Sequence, residues 1–248
     1  MIAGDFWLNV YSDSLSVGND LLTGNGIAKF VALRTLEAKL REKGEVYDYI
    51  MIDLPPSFGG LVRSALYSSD HLIIPCTSDT FSEYYIGLIA QMLPQFISDW
   101  NTGIGRFKQN NYGLKDYDGY GRPVFSGWIF NGFDTRDKKM LRADKAHYEN
   151  INEAIENLSE SLQKTIKDYN PVMEYTDDDF NIGQVEDMNV LIQNSLWQSV
   201  PASKLAAHKQ VKDLTGDRAA WSASQIELIG KVENQIHDIA QNIINNFE

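Results

Sequence analysis

Between residues 26 and 168 the chain alternates two kinds of apolar pattern, and this alternation constrains its fold more than any other feature. "GIAKFVALRTLEAKLREK", residues 26–43, places Ile27, Phe30, Val31, Leu33, Leu36 and Leu40 at helical spacing, and Gly44 ends the pattern. "YDYIMID", residues 47–53, follows as a short β-rich run. A helix is expected over 58–69, then a second short apolar run, "HLIIPC", at 71–76. Ser82 is placed to cap the next helix, with Tyr85, Ile86, Ile89, Met92 and Leu93 on its inner face. Pro94 lies inside that pattern and predicts a kink. "PVFSGWIF", 123–130, is a third strand, and a long helix is expected over 138–168. Such alternation predicts an α/β fold with a mostly parallel sheet and helices on both faces. Ligands of such folds bind beyond the carboxyl ends of the strands, and Asp53 and Asn131 stand at two of those ends.

The remaining segments are less regular. Residues 101–122 carry five glycines and no apolar period, which predicts a long surface loop. An extended segment is expected near "FNIGQV", 180–185, and helices over 187–198, 202–213 and 222–246. This reads as a single α/β domain over 1–248, with 202–248 as a helical C-terminal extension.

Composition removes several classes of function. The net charge of −12 argues against DNA binding by the whole surface. Lys204, Lys209, Lys212 and Arg218 still form a local basic cluster, readable as a solvated helix face or as a DNA contact. Cys76 is the single cysteine, so neither an intrachain disulfide nor a cysteine-based zinc site can form. His71, His147, His208 and His237 show no metal-ligand spacing. Asp177, Asp178 and Asp179 read as a solvated loop rather than a hydrolase pair, and no G-x-S-x-G elbow is present. No apolar stretch approaches the roughly 18 residues of a membrane span, and the first residues do not resemble a signal peptide. A cytoplasmic location is expected.

The most specific motif is "YDYIMIDLPPSFGG", 47–60. An apolar strand ending in aspartate is the Walker B pattern: the strand buries its body and offers one carboxylate to magnesium or to a magnesium-bound water. Pro55 and Pro56 stiffen the turn after Asp53, and Gly59–Gly60 permit close backbone approach.

The stretch from "YDYIMIDLPPSFGG" to "DTFSEYYIGL" resembles the central segment of the ParA/MinD family of deviant Walker ATPases, which position plasmids, chromosomes and other cargo. "GWIFNGFD" resembles the family's later strand, and the resemblance spans roughly residues 2–205. It implies a P-loop NTPase-like fold that uses ATP and Mg2+. Asp53 would be the switch carboxylate on the magnesium shell, Pro55 and Pro56 the rigid switch turn, and Asn131 the reader of adenine. Gln184 to Asp187 fall where the family has its loop over the base. The resemblance further implies an ATP-closed homodimer, non-specific DNA binding at the nucleoid, and a ParB-like partner that stimulates hydrolysis.

One departure is large. The family's phosphate loop, KGGxGK[ST], wraps the phosphates with backbone N–H groups and supplies lysines and a magnesium-binding hydroxyl. The nearest stretch here, "TGNGIAKF" at 23–30, has Phe30 in place of the hydroxyl and Ala28 in place of the last glycine. "IAGDFWLNVYSDSL" resembles the family segment that follows the loop, so Met1 is expected to lie well inside a longer protein, with the sheet incomplete on its N-terminal side. The chain alone is then expected to be inactive. The alternative is a non-catalytic interaction or regulatory module that keeps the family fold. A membrane-associated, MinD-like role is disfavoured: the amphipathic end "IELIGKVENQIHDIAQNIINNFE" has a polar side that is neutral to acidic.

Overall fold

The computed structural model describes residues 15, 21–110, 117, 119–137, 139–170, 179–212 and 218–247. The elements are α1 (Ile27–Phe30), α2 (Ala32–Glu42), α3 (Gly60–Ser68), β1 (His71–Thr77), α4 (Thr80–Asn110), β2 (Val124–Phe133), β3 (Thr135–Arg136), β4 (Lys139–Met140), α5 (Arg142–Thr165), β5 (Asn181–Glu186), α6 (Val190–Gln198), a 3₁₀ turn (Ala202–Ala207), β6 (Gln210–Val211), β7 (Arg218–Ala219) and α7 (Ala223–Asn246). The fold is mixed α/β with a helical C-terminus. The main sheet has the order β1–β2–β5, and β2 runs parallel to β5. Two small antiparallel hairpins, β3–β4 and β6–β7, follow the patterns Thr135↔Met140 and Val211↔Arg218.

The chain forms two compact units. The first holds residues 1–72, 88–125 and 160–170. Its core is built by α1, α3 and the body of α4. Ser64 Oγ donates to the Phe30 carbonyl at 2.9 Å, and the Tyr67 hydroxyl donates to the Phe96 carbonyl at 2.9 Å. The Tyr67 ring meets Phe30 edge-on at 5.9 Å and tilts against Trp100 at 5.0 Å. Burial pushes the Tyr67 phenol up to about 12, so it acts only as a hydrogen-bonding group. Arg63 bridges to Asp99 at 2.9 Å and lies over the Phe96 ring at 4.6 Å.

The second unit holds residues 73–87, 126–159 and 171–248. Here α7 packs on β5, with Val232 and Ile239 against Ile182 and Val185. Gly183 permits this contact, because a Cβ there would lie 2.5 Å from Ile239 Cγ1. Ser222 starts α7 with a capping box: its hydroxyl accepts from the Gln225 backbone N–H, and the Gln225 side chain accepts from the Ser222 N–H. Buried Glu186 pairs with Lys231 of α7.

Two expectations fail for tertiary reasons. The loop expected over 101–122 is helical as far as Asn110. Gly103 does not break α4, because its bare face is where Leu21 packs; a Cβ there would sit 2.2 Å from the Leu21 carbonyl oxygen. Arg106 then holds the Leu22 carbonyl at 2.6 Å. The later part of that segment, 111–116 and 118, lies outside the described residues. The helix expected over 202–213 stops at Ala207 as a 3₁₀ turn. The Trp221 indole N–H takes the Leu205 carbonyl at 3.0 Å and the His208 carbonyl at 2.6 Å, and the chain turns into β6 instead.

Candidate functional site

Residues 45–59 connect α2 to α3, and they form no strand. The "YDYIMID" run joins no sheet ladder among the described residues. Strand propensity alone cannot hold a strand; it needs a neighbour to pair its backbone and cover its side chains. The cost is visible in exposure: Val46 is 66% and Met51 87% exposed, and Tyr47, Tyr49 and Ile50 are also open to solvent. Asp53 is exposed at the end of this run. Pro55 and Pro56 follow it, both exposed, in a tight turn closed by the Ser57 N–H on the Pro55 carbonyl at 2.8 Å. Gly59 has no close neighbour, since a Cβ there would meet nothing within 4 Å.

Asn131 lies near the carboxyl end of β2, half-buried and in register with Val185 of β5. The strand runs on to Phe133, past the expected end at 130, with a register irregularity between Asn131 and Phe133. Gly132 makes that irregularity possible with φ +74. Gln184 lies within β5 rather than in a loop, and the Asp187 carboxylate is taken by the Asn189 N–H at 2.8 Å.

A network at the carboxyl ends of β1 and β2 escaped the sequence reading. Ser78 donates to Asp144 Oδ1 at 2.5 Å, and the Asp134 N–H donates to Asp144 Oδ2 at 3.1 Å. His147 Nδ1 lies 2.9 Å from Glu83 Oε1. These groups join the first turns of α4 and α5. Asp79, not Ser82, caps α4: its Oδ1 accepts from the Ser82 N–H at 2.8 Å, while Ser82 Oγ accepts from the Thr77 N–H at 3.0 Å. The spacing of Asp79 and Ser82 at helix positions N-cap and N3 was the available signal.

Burial works against ionisation of Asp79, but hydrogen bonds from Thr77, Ser82 and Phe81 outweigh it and lower the pKa. A carboxyl lowered below its unfolded value of about 3.9 adds stability above that pH and loses it as pH falls through the folded pKa. Asp79→Ala is expected to cost about 1 kcal/mol at pH 7, and the gap from the parent should narrow at about pH 3. Urea denaturation at both pH values checks this; an equal gap at both would show that the carboxylate charge contributes nothing.

The basic residues of the C-terminal part are separated by their partners. Lys204 on the 3₁₀ turn pairs with Glu233 of α7 at 3.1 Å. Lys209 and Lys212 flank β6, and Arg218 lies on β7 opposite Val211; all three are exposed. Of the acidic run, Asp177 and Asp178 lie outside the described residues, whereas Asp179 accepts from the Tyr148 hydroxyl at 2.8 Å.

Comparison with known proteins adds family-level information. Residues 19–105 match the family model described as an AAA domain. That stretch contains Asp53, Pro55 and Pro56. An uncharacterized protein of Methanocaldococcus jannaschii is 28% identical over 130 residues, covering 51% of this chain and 42% of that protein. The crystal structure of a Corynebacterium diphtheriae protein superposes with a TM-score of 0.51 at 18% identity, covering 80% of this chain and 61% of that one. This chain therefore spans less than two thirds of either relative. These matches support a P-loop NTPase-type fold, a class that generally uses a nucleotide and Mg2+. Among the described residues, no three His, Cys, Asp or Glu side chains converge as metal ligands, and no helix is long and apolar enough to cross a membrane.

Proposed function

We propose that this chain is the switch- and base-reading part of a partitioning-type ATPase related to ParA. The observation that carries the reading is the exposed run Val46–Met51 leading to Asp53, within the stretch that matches an AAA domain. Five large, mostly apolar side chains in a β-rich run are suited to the interior of a parallel sheet. Burying each is worth about 1.5–3 kcal/mol, so further strands pairing with this run would be strongly favoured. Such strands would set Asp53 at a strand tip, where a carboxylate can hold magnesium through water. Pro55 and Pro56 would keep the following turn rigid beside the γ-phosphate, and Asn131 would offer its amide to adenine. The 248 residues contain no KGGxGK[ST] loop, so ATP binding by the whole protein requires that loop from elsewhere in the polypeptide. ATP would close a homodimer that binds DNA non-specifically and responds to a ParB-like partner.

The test is Mg-ATP hydrolysis by the 248-residue chain and by a protein carrying a KGGxGK[ST] strand–helix unit ahead of it. The first is expected to be inactive. The second is expected to hydrolyse ATP, and Asp53→Ala to lower its rate about 100-fold or more. Family-like hydrolysis by the chain alone, or a rate indifferent to Asp53, would refute the proposal. An extended protein that folds but binds no ATP would instead favour a non-catalytic interaction module.

A further inference from the structure

Helix α6 is apolar on both sides. Its inner side places Leu191 in a core with Leu205, Trp221 and Ile229. On its outer side Ile192, Leu196 and Trp197 are 43%, 72% and 45% exposed. Ile192 and Leu196 are four apart and share a face. A helix apolar all round is ordinarily covered all round, and contiguous exposed apolar surface marks an interaction site.

The β6–β7 hairpin is fixed to this helix. Asn194 Oδ1 accepts from the Val211 N–H at 2.7 Å, and Arg218 donates to Gln198 Oε1 at 2.9 Å. The hairpin thereby holds exposed Arg218 at Gln198, the residue after Trp197, and Lys212 directly follows the Val211 that Asn194 anchors. Residues 190–212 contain no Asp or Glu at all, in a chain whose net charge is −12. Asp213 and Asp217 lie outside the described residues.

We propose that this face docks an acidic amphipathic segment of a partner polypeptide. Its apolar residues would cover Ile192, Leu196 and Trp197, and its carboxylates would meet Lys209, Lys212 and Arg218. The charge is complementary, and Trp and Arg are the residue types that carry most energy at protein interfaces. Duplex DNA would neutralise the cations but leave Leu196 and Trp197 in water, so phosphate binding accounts for only half of the surface.

The experiment uses the full chain and a fluorescein-labelled helical peptide of Leu and Glu at i, i+3, i+4 spacing. A Lys-for-Glu version of the peptide, a labelled duplex DNA, and sedimentation of the protein alone are the comparisons. The Glu peptide is expected to bind at least about tenfold tighter than the Lys peptide, a difference of about 1.4 kcal/mol. Leu196→Ser with Trp197→Ser, and separately Lys209→Glu with Lys212→Glu, should each weaken it about tenfold. Leu196→Gln alone, at the most exposed position, guards against a folding defect and should weaken binding with an unchanged melting temperature. The proposal is overturned by equal binding of the two peptides, by no binding of either, or by binding indifferent to Leu196 and Trp197. It is equally overturned if DNA binds through Lys209 and Lys212 while the Glu peptide does not, or if the protein self-associates through Leu196.

Discussion

Gly121→Ala is expected to lower stability by about 3 kcal/mol. Two costs add. Gly121 has φ +77, a conformation that L side chains rarely adopt, and a Cβ there would lie 2.2 Å from the Trp100 ring. The ring is confined: Trp100 is buried and packs on Tyr67 at 5.0 Å. The backbone is held as well, because the Gly121 N–H donates to the Tyr67 carbonyl at 2.9 Å. Chemical denaturation checks the size of the loss, and the thermal midpoint should fall by roughly 6–12 °C. A loss below about 1 kcal/mol would show that Trp100 can swing aside.

Trp128→Ala is expected to cost about 3–5 kcal/mol, and Trp128→Phe less than half as much. Trp128 is fully buried on β2 and touches the rings of Phe130 at 6.0 Å and Tyr148 at 5.0 Å. Its indole N–H has no partner among the described residues, so phenylalanine gives up volume but no hydrogen bond. Alanine leaves a cavity at the start of the β2–β5 register, where Trp128 stands opposite Asn181. Urea unfolding of both variants separates the readings. Equal losses would mean that the N–H is bonded after all and that packing is not the main term.

Much of this architecture was legible locally. Leu36 and Leu40, Ile86 and Leu93, and Ile229 and Val232 recur at helical spacing, and each pair falls in a helix. "HLIIPC" and "PVFSGWIF" are both strands of one sheet. The capping of α7 by Ser222 and Gln225 is written in four consecutive residues. The failures share another character. Gly103 looks like a loop residue until Leu21 is placed against it. The stop at Ala207 depends on Trp221, which is 14 residues further along the chain than Ala207 and takes two carbonyls a longer helix would need. The Asp144 network links Ser78 and Asp134 across 66 and 10 residues, respectively.

The sequence by itself determined the alternation of helix and strand from residue 60 to 165, the aspartate–proline motif at 53–56, and the acid-free stretch in an otherwise acidic chain. Those are properties of neighbouring residues, because periodicity and turn chemistry act over a few positions. Only the tertiary structure decided that Val46 to Met51 join no sheet ladder among the described residues, that Arg218 pairs across from Val211 next to Lys212, and that the outer face of α6 is apolar and open. A ladder, a cover or a cluster requires a second segment, and which segment arrives is set by packing of residues far apart in the chain.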